Sequence, residues 1–111
     1  MSFQHQSLAA GKWFELSLME QLGNVASEIG RARKWQHKDA KIYEACVFRA
    51  IELLSLTLSD SRWKSRYKEI CRAKECVCDA YYGGKEYGST FESLEKYFNH
   101  YAYAARNSVG S

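Results

Sequence analysis

"AKIYEACVFRAIELLSLTL", residues 40–58, decides the fold class. Its apolar side chains cover most of the circumference of a helix and recur at intervals of three and four residues. Only a narrow polar stripe interrupts them, through Lys41, Glu44, Glu52 and Ser55. A helix this apolar has to be covered on nearly all sides, so it forms the centre of a helical bundle or part of a subunit interface. Asp39 is the expected N-cap of this second helix.

Three further helices are predicted around this segment. The first begins at residue 7 or 12 and ends at 36, the third spans 62–82 and the fourth spans 90–106. Gly83 or Gly84 ends the third helix, because glycine adopts the left-handed C′ conformation without penalty. Ser89 and Glu92 have the spacing of a capping box for the fourth helix.

The connections between these helices are short, and short connections favour antiparallel neighbours. The chain has no proline and no segment that alternates like a β-strand. We therefore predict an all-α, antiparallel up-down four-helix bundle. It forms a single domain over residues 1–111, with a frayed tail at about 107–111.

Composition excludes several classes of protein. The chain has 111 residues and is 46% hydrophobic, too apolar for a disordered protein. It has no apolar run of the length of a membrane span and no secretory signal pattern, so we expect a cytoplasmic protein without a membrane partner. The spacing of the four cysteines does not suit a zinc site. We expect Cys46, Cys71, Cys76 and Cys78 to be buried small apolar residues, with a reactive thiol as the alternative, and no cofactor or metal.

Two segments are strongly basic. Residues 31–41 hold five basic residues against one acid, and residues 62–74 hold six against one. A tryptophan lies in each segment, and aromatic rings can stack on bases beside phosphate-binding cations. Binding of RNA or single-stranded DNA is therefore one hypothesis, with candidate residues Arg62, Lys64, Arg66 and Lys68.

The segment "DAYYGGKEYGST", residues 79–90, breaks the helical pattern. It lacks the spacing of a phosphate-binding loop and is read first as a turn, with a nucleotide cradle as the alternative. In an up-down bundle this loop lies at the same end as the end of the first helix. The expected partner-binding surface is therefore Trp35, His37, Tyr82, Lys85 and Tyr87.

A polar stripe on the first helix runs through Glu20, Asn24, Glu28 and Arg31. A di-metal bundle would need E-x-x-H pairs, which the chain lacks. The stripe is therefore expected to be a solvated face, with Glu28 paired to Arg31.

Four segments carry a resemblance to small uncharacterised bacterial helical-bundle proteins: "LMEQLGNVASEIGRA", "FRAIELLSLTLSD", "YYGGKEYGS" and "YFNHYAYAAR". The likeness implies a compact bundle and no assigned activity. Arg31 and His37 also resemble the R-x4–6-H signature of the HEPN helical ribonucleases, which implies RNA cleavage as a third hypothesis. Similarity to bundle subunits that accompany nucleotidyltransferases or reverse transcriptases is one of fold alone.

The function that these features favour is a non-enzymatic helical interaction module. It would be a self-associating accessory or adaptor subunit, because the second helix and Tyr97, Tyr101 and Tyr103 of the fourth are too apolar for a monomer's surface. Partners are expected to be a second copy of the chain or another protein.

Overall fold

The structure, a computed structural model, describes the backbone of residues 11–110 and the side chains of residues 11–105. Within that range the chain is all-helical, with four α-helices and no strand, which confirms that the fold is all-α with four helices. The α-helices are α1 (Leu18–Trp35), α2 (Ala40–Leu58), α3 (Tyr67–Tyr81) and α4 (Phe91–Gly110). Two 3-10 helices, Lys12–Glu15 and Ser61–Arg66, precede α1 and α3.

The helix starts differ from the predicted ones. α1 begins at Leu18 because Ser17 and Glu20 form a reciprocal capping box, with N···O distances of 3.0 and 3.1 Å. The predicted start at residue 12 was wrong, and the alternative at residue 7 lies outside the described residues. The third helix is split, since Trp63 has non-helical φ/ψ angles and the α-helix proper starts at Tyr67.

The capping of α2 is as predicted, and that of α4 is not. Asp39 accepts hydrogen bonds from the N–H groups of residues 41 and 42. At α4, Thr90 and Ser93 cap each other, so the predicted pair of Ser89 and Glu92 was wrong by one residue. α4 also continues to Gly110, past the predicted end at 106 and through most of the predicted frayed tail.

The core is formed where α1 packs against both α2 and α4, while α3 packs mainly on α2. Its fully buried side chains include Val25, Ile29, Val47, Leu54 and Phe98. α1 and α4 are in close contact at Gly23, where a Cβ would lie 3.4 Å from the Cα of Ala102.

A buried polar cluster ties the two 3-10 helices to α1. The fully buried Gln21 side chain donates to the Trp13 carbonyl and to Asp60, and it accepts from the Trp63 indole N–H. Asp60 is held in turn by Arg62 at 2.7 Å. This cluster favours one arrangement of the two 3-10 helices on α1, because any other arrangement would leave a buried polar group without a hydrogen-bond partner and would lower the stability of the fold.

Two predictions about buried residues need correction. Glu28 is 5% exposed rather than solvated. It pairs with Arg31 at 2.7 Å as predicted, and also with Arg49 of α2 at 3.3 Å, and these two cations compensate its burial. Among the cysteines only Cys46 is buried, which raises the pKa of its thiol, whereas Cys71, Cys76 and Cys78 are half-buried.

Candidate protein-binding groove along α3

A groove of about 760 Å³ runs along the outer face of α3. Six residues of one helical stripe, called here the α3 stripe, form its floor: Tyr67, Cys71, Lys74, Glu75, Cys78 and Tyr82. At 100° per residue these positions fall within an arc of about 100°. Leu58 at the end of α2 lines one part of the groove and the loop after α3 another.

The sequence places this stripe outward because the opposite side of α3 is committed to the core. Ile70, Ala73, Val77 and Ala80 are all buried there. Tyr67 lies away from that inner side and is 53% exposed. The preceding 3-10 helix has three residues per turn, so the helical phase of Trp63 does not continue into α3.

The loop after α3 is fixed by Asp79. Its carboxylate accepts three backbone N–H groups, from Glu86 at 2.8 Å and from Tyr87 and Ser89 at 3.1 Å. Burial raises the pKa of Asp79, but these hydrogen bonds together outweigh burial and lower the pKa below its usual range. These three hydrogen bonds hold the loop against α3, where it forms a wall of the groove.

Glycine supplies the turn into this wall, as predicted. The Gly84 N–H binds the Asp79 carbonyl at 2.8 Å and the Gly83 N–H binds the Ala80 carbonyl at 3.3 Å. This is the Schellman pattern, and both glycines have positive φ angles, 101° and 76°.

Three of the five predicted partner-binding residues meet in the groove: Tyr82, Lys85 and Tyr87. Tyr82 is 75% exposed and packs edge-on against the Tyr81 ring. The Tyr87 hydroxyl donates to Glu75 Oε2 at 2.8 Å, which raises the pKa of the phenol, and the Arg72 guanidinium lies over its ring. Tyr87 therefore also helps to hold the loop on α3.

The other two predicted residues, Trp35 and His37, do not line this groove. Trp35 is half-buried at the end of α1, with the Lys34 ammonium 5.4 Å from its ring centre. His37 is exposed in the turn before α2.

The predicted nucleic-acid-binding residues are not a uniform cationic surface. Arg62 is bound to Asp60 and lies over the Trp63 ring, and Arg66 is bound to Glu69 at 2.9 Å. Lys64 and Lys68 are exposed. In the other basic segment, the arginines at 31 and 33 are likewise paired, with Glu28 and Glu95.

The charged side chains that line the groove are of both signs, with Lys74 and Lys85 against Glu75, Asp79 and Glu86. The carboxylate of Asp79 faces backbone N–H groups of the loop. Beyond the groove the aromatic surface continues onto α2, where Phe48 is 45% exposed and packs on Tyr81. The groove is therefore lined by aromatic rings and thiols, and its rim carries charges of both signs without an excess of cations.

The aromatic residues of α4 that suggested self-association are partly engaged within the chain. Tyr101 donates to Glu69 at 2.8 Å and contacts the Tyr97 hydroxyl, and burial raises its pKa. Tyr103 remains exposed. The α4 surface is thus less available than its sequence indicates.

Features for other activities are sparse in the part of the chain that the structure describes. No group of three metal-ligating side chains comes together there, and none of its helices is long and apolar enough to cross a membrane. Of the HEPN-like pair, Arg31 is bound to Glu28 and His37 is exposed. Comparison with protein families, curated proteins and solved structures finds no match to this chain.

Proposed function

We propose that this protein is a non-enzymatic helical interaction module, an accessory or adaptor subunit, that self-associates through the groove along α3. The observation that carries the proposal is the exposed aromatic floor of this groove, with Tyr67 and Tyr82 both more than half exposed. Aromatic side chains are enriched at the centres of protein interfaces, where they bury a large area with little loss of conformational entropy.

The mixed charges of the rim favour a second copy of the chain over a strongly charged partner. A two-fold interface uses the same patch twice, so the patch must be complementary to itself. Lys74 and Lys85 with Glu75 and Glu86 satisfy this condition. A nucleic acid or a strongly acidic protein would instead require an excess of cations.

We also propose that the four helices form an antiparallel up-down bundle and that the protein is cytoplasmic. Consecutive helices pack on each other and their connections are short, which supports an antiparallel up-down order. The four free thiols support a reducing compartment such as the cytoplasm.

The test is the mass of the protein in solution by light scattering at micromolar concentration. Wild type is expected to exceed the monomer mass of 12.8 kDa. Tyr67→Ser with Tyr82→Ser is expected to return it to the monomer. Tyr103→Ser, an exposed tyrosine on α4, is the matched control and should leave the mass unchanged. A monomer at every concentration, or dissociation by Tyr103→Ser alone, would contradict the proposal.

The alternative is an accessory protein that binds RNA or single-stranded DNA. Its support is the pair of exposed lysines, Lys64 and Lys68, near the start of α3. Fluorescence anisotropy with single-stranded RNA at low salt distinguishes it. Salt-sensitive binding that Lys64→Glu with Lys68→Glu abolishes would favour this alternative, and cleavage of the same RNA would favour the ribonuclease hypothesis.

A further inference from the structure

The α3 stripe reads almost the same in both directions. Counting outward from the point between Lys74 and Glu75, a cysteine follows on each side at Cys71 and Cys78, and a tyrosine follows at the two ends. The central pair has opposite charges. All six side chains line the same groove, so the symmetric pattern lies on a surface that a partner can reach.

This symmetry is the one that an antiparallel pair of identical helices requires. When a two-fold axis passes between two copies of α3 at the stripe's midpoint, each residue faces the residue equally far on the other side of that midpoint. Tyr67 then faces the partner's Tyr82, Cys71 faces the partner's Cys78, and Lys74 faces the partner's Glu75. Every contact occurs twice.

We propose that two copies of this chain dimerise through α3 in this antiparallel register, with the two α3 stripes facing each other. The inference rests on the proposed function and adds its geometry. The stripe is about 22 Å long at 1.5 Å per residue, so the whole of α3 takes part. Packed helices lie 8–10 Å apart, which brings facing side chains into contact.

The internal hydrogen bonds of the groove are compatible with this register. Tyr87 occupies Oε2 of Glu75, and the other carboxylate oxygen is left to accept from the partner's Lys74. Both carboxylate oxygens of Asp79 stay hydrogen-bonded to the loop backbone. The register therefore forms two ion pairs between copies without breaking a contact within either.

The facing cysteines provide a direct test by oxidation. Diamide accepts two protons and two electrons from a pair of thiols, which join as a disulfide while the azo bond becomes a hydrazine. Mild diamide treatment is expected to convert the protein to a covalent dimer on a non-reducing gel. The experiment uses a Cys76→Ser background, since that half-buried thiol lies off the stripe.

Single variants distinguish this register from others. Cys71→Ser alone and Cys78→Ser alone should not cross-link, because each remaining thiol faces a serine. A mixture of the two, one carrying an affinity tag, should give a cross-linked mixed dimer. Helical content by circular dichroism shows that each variant is folded.

Each other outcome has a definite meaning. Cross-linking of either single variant by itself would place a cysteine opposite its own copy, as parallel helices do, and would overturn the register. A dimer by light scattering without any cross-link would overturn it too and leave self-association intact. A monomer by light scattering would remove the proposed function itself.

Discussion

Gly84 offers the sharpest test of how the loop over the groove is built. Its φ angle is 76°, and a Cβ added there would lie 2.8 Å from the backbone oxygen of Ser89. Gly88 is a matched control, because its φ angle is 69° but a Cβ would meet nothing within 4 Å. The two alanine substitutions therefore share backbone strain, and only Gly84→Ala adds a collision.

The magnitudes follow from these two contributions. Left-handed alanine costs about 1–2 kcal/mol, and the smaller entropy of the unfolded chain offsets about 0.4–1 kcal/mol, so Gly88→Ala should destabilise by about 1 kcal/mol. At Gly84 the overlap adds about 1–3 kcal/mol, because the Ser89 oxygen belongs to backbone that Asp79 holds in place. The total is about 2–4 kcal/mol.

Thermal unfolding followed by circular dichroism measures both variants. At roughly 4 °C per kcal/mol for a domain of this size, Tm should fall by about 4 °C for Gly88→Ala and about 8–16 °C for Gly84→Ala. All samples need the same protein concentration, since self-association makes Tm depend on it. Equal losses at the two positions would refute the reasoning, because the loop would then be free to move away from the new methyl group.

Three other perturbations have definite expected results. The Arg62 hydrogen bond outweighs burial and lowers the pKa of Asp60, so this carboxyl contributes stability above its unfolded-state pKa and loses it as pH falls through the lower folded-state value. The urea midpoint of wild type should therefore drop below about pH 4 more steeply than that of Asp60→Asn. Gln21→Ala removes the three hydrogen bonds of a buried side chain and should cost about 2–4 kcal/mol by urea titration, whereas Asn24→Ala on the exposed side of α1 should cost less than about 0.5 kcal/mol. Lys74→Glu should raise the dimer Kd roughly tenfold in analytical ultracentrifugation, and adding Glu75→Lys should restore it, since the two ion pairs between the copies become repulsive and then attractive again.

The sequence predicts the parts of this fold that depend on neighbouring residues. The bounds of α2 and its Asp39 cap were predicted correctly, because the apolar pattern and the capping residue are both local features of the sequence. The start of α4 is one residue off because Asp79, ten residues earlier, binds the Ser89 N–H. The burial of Glu28 was not predicted for a similar reason. Arg49, which helps to compensate that burial, comes from another helix.

In the candidate site, too, the residues that are close in sequence were predicted and the more distant ones were not. Tyr82, Lys85 and Tyr87 were predicted together because they crowd into one short loop, and they line one groove. The α3 side of that groove was missed, although Cys71 and Cys78 are seven residues apart and so share a helical face. Tyr67 belongs to that face because the α-helix begins at this residue, after a 3-10 helix. The sequence pattern does not reveal that change of helix type.

The close packing of α1 on α4 at Gly23 has a consequence for synthesis on the ribosome. α2 covers part of α1 as soon as it emerges, but the side that holds Gly23 has to wait for Ala102 and its neighbours. At about 5–20 residues per second, the intervening 80 or so residues take roughly 4–16 s to be made. During that interval an apolar seam of the nascent chain is open to chaperones and to other nascent chains, and slow codons between α3 and α4 would lengthen the exposure.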